Sequence, residues 1–495
     1  MSTKAQNERI LFGLKVKQLR QQLNLSFADL SEKAGMSVSY LNEIEKGKKY
    51  PKGEKIQTLA KALNVAPLDL TSLEMDESLA PVHDLLQSNF LNELPLERFG
   101  IDLAKVVEII AGAPSRVGAF ISTLLELSRN YALRQEHFYF SALRSYLELN
   151  NNYFDGLEKA ADQFMVEFQI AAKRPLAGEQ LRNILEEKYD YIVHENGLDR
   201  YPELQHLRSL FIPKRKELLL SSKLSPIQRA FEYGKELGFQ FLNIKERAYT
   251  SSILRGRTFE EVLNHSQAIY FSVALHLPLK AIVQDLELFF QRKTWDGNAF
   301  QDIMGKYDAT PEMFYHRLTN ILPGFFGIRK LFFLRFVHDP TRNSFEVDKE
   351  LHLNHKHHPH GNGIYEHYCR RWVSIALLQE LAELKSAGNP SELLIRPQIS
   401  HYLNTADKYL CITVARPSYP SPNKNVSVTI GLLIDDELRS KVQFLNDPTI
   451  PAREVHTTCE RCPIENCVER AAEPSIVQKK QQFHQIQERL NKLLS

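Results

Sequence analysis

No apolar run in this 495-residue chain approaches the ~20 residues that a membrane-spanning helix requires, and the N-terminus lacks a signal-peptide pattern. The expectation is therefore a cytoplasmic protein with no membrane partner. Cysteine is scarce, with five in the whole chain, which points away from a disulfide framework and towards metal or redox chemistry. A large charge of one sign is also missing: 62 Lys+Arg against 60 Asp+Glu leave a net charge of +2. Any polyanion-binding surface must then be local. What remains is ordinary for globular domains, 43% hydrophobic and 25% charged. With ~150 residues per domain as a loose guide, the length accommodates three or four domains.

The stretch Leu25 to Gly47, LSFADLSEKAGMSVSYLNEIEKG, reads as a helix, a tight turn and a second helix. Ser26 is placed to cap a helix through Ala34, Gly35 to supply a positive-φ turn, and Ser37 to cap a second helix through Glu45. Leu30, Ala34, Val38, Leu41 and Ile44 are expected on inward faces, with Ser39, Tyr40, Asn42 and Glu43 towards solvent. A two-helix unit cannot bury itself, and apolar periodicity at 10–23 and 53–63 supplies flanking helices. Residues 1–70 hold 12 Lys+Arg against 7 Asp+Glu, a net +5, so positive charge is concentrated in this part.

Residues 9–70 closely resemble the Cro/C1-type repressor family, in which the second helix reads the major groove. The resemblance implies a salt bridge between Arg20 and Glu45, and base-facing positions at Val38, Ser39 and Glu43 with Tyr40 and Asn42 as neighbours. Ser26, Phe27 and Ser37 complete the expected DNA-facing set, and Lys46, Lys48, Lys49 and Lys52 suit phosphates. The partner would be a double-stranded, palindromic operator.

Residues 71–95 read as a connector. From 96 to 173 the pattern is helical almost throughout, including one long amphipathic segment from Phe138 to Phe168. Residues 71–173 are therefore assigned as a helical connector and dimerisation region, because a palindromic site asks for a homodimer. Beyond it come a helix at GEQLRNILEEKY, strands at DYIVHE and KELLLSS, and a helix or extended piece around LQHLRSLFIP. Residues 174–322 resemble a zinc-peptidase-like domain whose first helix carries HExxH. That chemistry needs two imidazoles one helical turn apart, a third ligand and a glutamate. Here the slots hold Lys235, Glu236 and Phe239, and Gln267 stands where a carboxylate is expected. No peptidase zinc and no catalytic activity are expected, and Glu236 reads as a surface or buried, paired carboxylate.

The terminal region, 323–495, reads as α/β, with a buried strand at KLFFLRFV and further strands at LLIRPQISHYL, KYLCITVARP and NVSVTIGLL. Asp348 to Trp372 reads as a histidine-rich loop. Lys356, His358, His360, Arg370 and Arg371 are the weak candidates there for an anionic ligand. Cys459, Cys462 and Cys467 have a CxxCxxxxC spacing that lets a loop wrap one metal centre, zinc or an iron-sulfur cluster. The fourth ligand would be Cys369, His456 or Cys411, with Cys369 preferred because Cys411 sits in an apolar strand. A closing helix over 475–495 carries Ile476, Phe483, Ile486, Leu490 and Leu493 on one side, available to the body or to a second subunit.

Taken together, CERCPIENCVERAA, the upstream CRRW and the degenerate HExxH slot resemble the short-chain fatty acyl transcriptional regulators. The resemblance implies a multidomain, mainly α protein with α/β parts: helix-turn-helix head, helical linker, α+β peptidase-like domain and α/β sensor domain. It also implies a short-chain acyl-CoA or related metabolite as effector. The alternative input is redox or metal sensing at the cysteines.

Overall fold

A computed structural model of the chain describes residues 3–72, 98, 100, 135–171, 174–251, 258–353, 366–388, 393–419, 421 and 423–494. The connector expected at 71–95, the helices expected between 101 and 134, and Lys356, His358 and His360 lie wholly or almost wholly outside them. The chain divides into two units, residues 1–146 with 256–259, and residues 147–255 with 260–495.

In the first unit α1 (Thr3–Gln22), α2 (Phe27–Ala34), α3 (Val38–Glu45), α4 (Gly53–Ala62) and α5 (Pro67–Thr71) enclose one apolar core. Phe12 and Val16 from α1 meet Leu30, Leu41, Ile44, Leu59 and Leu63, all buried. Each such side chain contributes about 1.5–3 kcal/mol by leaving water, enough for a small domain with no disulfide. The α1–α3 crossing is a backbone contact: a Cβ on Gly13 would stand 2.3 Å from the Ile44 carbonyl oxygen, so only glycine fits. Val38 departs from expectation, since it is 45% exposed rather than inward. It sits at the first position of α3, one residue past the cap and beyond the edge of the core.

The amphipathic segment expected to be continuous is broken into α6 (Gln135–Leu149) and α7 (Asp155–Glu167). Asn151 and Asn152 both take left-handed φ values, 49° and 50°, which asparagine tolerates better than most residues and which no helix continues through. Asn152 is then buried, and its amide donates to Thr319 Oγ1 at 2.8 Å while its carbonyl accepts from Asn320 Nδ2.

The second unit contains two sheets. In the smaller, β1 (Ile192–His194), β3 (Glu217–Leu220) and β2 (Ser209–Ile212) lie in that order, β1 parallel to β3 and β2 antiparallel. The piece left open between helix and extended chain is thus β2. The free edge of β2 is closed by residues 249–251, with Phe211 N–H donating to the Tyr249 carbonyl. Packed with this sheet are α8 (Gly178–Tyr189), α9 (Pro226–Phe241) and α10 (Phe259–His276), through Leu181, Leu218, Leu237 and Phe271. There follow α11 (Leu279–Phe290), α12 (Gly297–Lys306) and α13 (Pro311–Phe325). Arg317 of α13, fully buried, forks onto both oxygens of Glu158 on α7, and Tyr270 of α10 donates to the same carboxylate at 2.6 Å. That single carboxylate ties three helices.

The larger sheet has the order β5-β4-β8-β7-β6-β9, antiparallel except where β9 (Ala452–Val455) runs parallel to β6 (Leu394–Tyr402). β4 (Leu331–Asp339), β7 (Lys408–Pro417) and β8 (Asn425–Leu433) fill its middle. Alternate residues of a strand face opposite sides. Phe332, Leu334 and Phe336 accordingly join Trp372, Ile375 and Leu378 under α14 (Val373–Ser386), whereas Arg335 turns to the other face and bonds Glu312 of α13. Two strands were not foreseen. β9 is short, and β5 (Ser344–His352) takes in Asp348–His352, which were expected in the histidine-rich loop. Past β8 come α15 (Asp436–Lys441) and the closing helix α16 (Ser475–Leu494), whose Phe483, Ile486, Leu490 and Leu493 are exposed. Among the described residues no single helix is long and apolar enough to cross a membrane.

Candidate nucleic-acid interface and the altered metal slot

Local chemistry fixes the two helices of the head. Ser26 and Asp29 form a reciprocal capping box at α2: Asp29 N–H donates to Ser26 Oγ at 3.1 Å and Ser26 N–H to Asp29 Oδ2 at 2.8 Å. Gly35 closes α2 at φ 59°, and Ser37 Oγ accepts from Tyr40 N–H to start α3. The far end of α3 is held by Glu45, buried, which takes two hydrogen bonds from Arg20 at 2.7 and 3.0 Å. Arg20 also donates to the Leu25 carbonyl and stacks 4.2 Å from the Phe27 ring. Its hydrogen bond with Glu45 raises the guanidinium pKa further, so Arg20 stays charged across the working pH range. The expected salt bridge is therefore present, and it also fixes Phe27 and the entry to α2.

What α3 shows to solvent follows from that anchoring. Ser37, Val38 and Ser39 are exposed; Tyr40, Asn42 and Glu43 are partly covered. Beyond Gly47, which has φ 66°, the chain carries Lys48, Lys49 and Lys52, and Lys46 stands just before it; all four are exposed. Two of the expected contacts have other partners in the free protein. Lys49 Nζ lies 2.7 Å from Glu43, and the Tyr40 ring faces Lys55 at 4.3 Å. Lys55 was not singled out from sequence, although it follows the basic turn by three residues. The result is a serine-rich helix start flanked by long cationic side chains, with the chemistry to approach base edges and phosphates together.

α9, the helix on which the resemblance places the HExxH-like slot, holds fixed charge. Glu236 on α9 is buried and accepts from Arg247 at 2.7 and 2.6 Å, with the Tyr191 hydroxyl as a third donor at 3.2 Å. The same guanidinium lies 3.6 Å from the centroid of Phe239, the residue standing where the second imidazole belongs. Lys235, in place of the first imidazole, is buried on Glu232 and Ser209. Burial, then Lys235 and Arg247, push the pKa of His265 on α10 well below its ordinary value, leaving it neutral. Two covalently attached cations, Lys235 and Arg247, are thus packed against carboxylates in this stretch. Both oxygens of Glu236 thus accept from fixed protein donors.

The cysteines come from two distant segments. Cys369 N–H donates to the Thr457 carbonyl, Tyr368 bridges to Thr458, and Cys459 N–H donates to the His367 carbonyl, which sets the CRRW turn against the CxxC turn. Cys369, Cys459 and Cys462 are buried and Cys467 half-buried. Arg470 pins the loop by donating to the carbonyls of Cys459 and Cys462, while Ala471 N–H points to Cys459 Sγ at 3.3 Å. Burial raises the thiol pKa of Cys369 and Cys462. Four thiols with an N–H donor to sulfur suit a thiolate-held centre in their chemistry. Even so, among the described residues no three His, Cys, Asp or Glu side chains are spaced to hold a metal ion. His456 is bonded to Thr457, and Cys411 lies in β7, its thiol pushed up to about 12 by burial. Arg370 stacks 4.0 Å from the Phe345 ring and Arg371 faces Glu469 at 3.6 Å, so neither expected anion-binding arginine is unengaged.

Residues 16–70 match the helix-turn-helix family model. The HTH-type transcriptional regulator RamB of Mycobacterium tuberculosis is 23% identical over 489 residues, covering 93% of this chain and 94% of RamB. The propionyl-CoA carboxylase regulator of Cereibacter sphaeroides is 22% identical over 350 residues, 66% of this chain and 68% of that protein. Control protein C.BamHI of Bacillus amyloliquefaciens is 37% identical over 65 residues, 13% of this chain and 80% of that protein.

Proposed function

We propose that the chain is a metabolite-responsive HTH-type transcriptional regulator acting as a cytoplasmic homodimer on a palindromic operator; its Cro/C1-type head and its distant similarity to RamB, over nearly its full length, and to the propionyl-CoA carboxylase regulator support this reading. One observation carries the reading: α3 is clamped at its C-terminal end by Arg20–Glu45 while its serine-rich start stays exposed beside four exposed lysines. Ser39 and Glu43, with Val38, Tyr40 and Asn42, read base edges; Ser26, Phe27 and Ser37 set the two helices on the backbone; Lys46, Lys48, Lys49 and Lys52 neutralise phosphates. For Glu43 to reach a base, Lys49 must exchange its carboxylate for a phosphate, which an exposed pair does at little cost.

The effector in this reading is a short-chain acyl-CoA or a related acid, and it acts only to the extent that it binds two states of the regulator unequally. The test is fluorescence anisotropy of full-length protein on its own promoter fragment across a salt series, with and without a panel of short acyl-CoAs. A several-fold change in specific affinity with one of them is expected; unchanged affinity with all removes the effector. A second reading takes the cysteines as the input, favoured by the backbone pairing that sets the Cys369 turn against the turn carrying Cys459 and Cys462. There an iron-sulfur cluster would supply redox sensitivity and zinc would supply rigidity. Iron content and visible absorbance after anaerobic purification separate the two, and a colourless, zinc-loaded protein rules out the cluster.

A further inference from the structure

From Gln478 to Leu494 every residue of α16 is exposed, so the helix leaves the body after its first turn. Its root is held: the N–H groups of Ile476 and Val477 both donate to the carbonyl of Glu460, on the turn that carries Cys459 and Cys462. Helices in proteins draw most of their stability from packing an apolar face. This one instead shows Phe483, Ile486, Leu490, Leu493 and Leu494 to solvent at 50–84% exposure.

The spacing of the strip indicates what covers it. Ile476, Lys479, Phe483, Ile486, Leu490 and Leu493 follow one another at steps of three, four, three, four and three residues, the heptad pattern along which two helices interlock. A helix lying on lipid carries a basic polar face. The flanks here are largely neutral, with Gln478, Gln481, Gln482, Gln485 and Gln487, and a lysine stands inside the strip itself. Lys479 also decides the direction of pairing. In a parallel pair it would stand opposite its own copy within the seam. In an antiparallel pair with Phe483 beside the partner's Ile486, Lys479 lies beside the partner's Leu490, its stem over that side chain and its ammonium in water. The same register brings the partner's Leu493 to Ile476, at the root of α16. A cavity of about 420 Å³ opens there, lined by Pro463, Ile476, Val477 and Lys480 among others. Its apolar walls suit a leucine-rich helix end, and the Lys480 ammonium suits the negative end of a helix dipole.

We propose that α16 is an interface with a second copy of this chain, an antiparallel two-helix seam centred on Phe483 and Ile486. Such a seam is isologous, so it closes as a dimer and does not extend into a chain of subunits. It rests on the homodimer reading above and deepens it by naming the surface. Through Glu460, that surface is rooted on the cysteine turn.

The test is sedimentation velocity of the full-length protein over a dilution series without DNA. Wild type is expected to be a dimer that dissociates on dilution. Ile486→Glu should weaken it by about tenfold or more, because a carboxylate would have to be buried in the seam. Its Tm should match that of wild type at dilutions where both are monomers, since residue 486 is exposed in the single chain. Direction is read from a charge swap. Leu490→Lys should weaken the dimer by facing the partner's Lys479, and adding Lys479→Glu should recover most of the loss. In a parallel seam both swapped positions would meet their own copies, so a double variant weaker than the single one overturns the antiparallel seam. A wild type that stays monomeric at every concentration also overturns it; if that monomer binds phosphatidylserine vesicles and Ile486→Glu does not, the face belongs to lipid. A wild-type dimer that Ile486→Glu leaves intact keeps the homodimer reading and removes this seam. A wild type that is monomeric both alone and on the operator removes both.

Discussion

The head and the peptidase-like core both depend on an arginine–glutamate pair, and they use it oppositely. In the head, Arg20–Glu45 sits just under the surface and fixes a helix whose working side chains point outward. In the core, Arg247–Glu236 is enclosed, with side-chain exposures of 5% and 2%. One pair holds up an exposed surface, and the other closes an interior on itself. Charge at a protein site therefore has to be judged by whether it is spent internally: Arg247 and Glu236 spend theirs on each other, whereas Lys46, Lys48 and Lys52 of the head stay exposed.

The sharpest way to break this comparison is to remove Arg247. Arg247→Met leaves Glu236 buried without its guanidinium partner, and should cost about 3–5 kcal/mol in urea-induced unfolding, with most of it recovered by adding Glu236→Leu. A cost below about 1 kcal/mol for the single variant would show that Glu236 is not held by that guanidinium. In the head the loss should appear in recognition and leave folding intact. Ser39→Ala with Glu43→Ala is expected to lower the ratio of operator to random-DNA affinity by about 1–3 kcal/mol for each base that is no longer read, measured by anisotropy at fixed salt. Equal weakening on both DNAs would move these residues to the phosphate backbone. Ser37→Ala, which strips the α3 cap, should destabilise the head by about 1 kcal/mol in thermal unfolding. Smallest is the exposed Glu43–Lys49 pair: a double-mutant cycle should give a coupling of about 0.2–1 kcal/mol that fades in high salt. A coupling as large as that of Glu236–Arg247 would erase the distinction drawn between the two regions.

The same contrast explains what was legible in the sequence. The head's determinants are local: Ser26 with Asp29, Ser37 with Tyr40, and a glycine between two short helices, all within four residues of their partners. Even Arg20 and Glu45 are 25 residues apart on helices whose faces the apolar periodicity already fixes. In the body the deciding partners obey no spacing rule. Glu158 meets Arg317 across 159 residues, and Lys349 faces Arg335 only because β5 folds back on β4, a hairpin hidden by the polar sequence of β5. The absence of zinc ligands at Lys235 and Phe239 was readable; that Arg247 fills the gap was not. The break at Asn151–Asn152 did carry a signal, three consecutive asparagines, which the apolar periodicity on either side outweighed.

β5 ends the described sheet, and it presents Glu346, Asp348, Lys349 and Glu350 within five residues, with the register slip of the β4–β5 ladder beside them. A bare strand edge is a template on which further chains polymerise, and both the charge and the irregularity spoil that template. The polarity of β5 therefore serves as protection against aggregation. A charge-to-alanine sweep of β5 would be expected to cost solubility on prolonged storage before it cost any measurable stability.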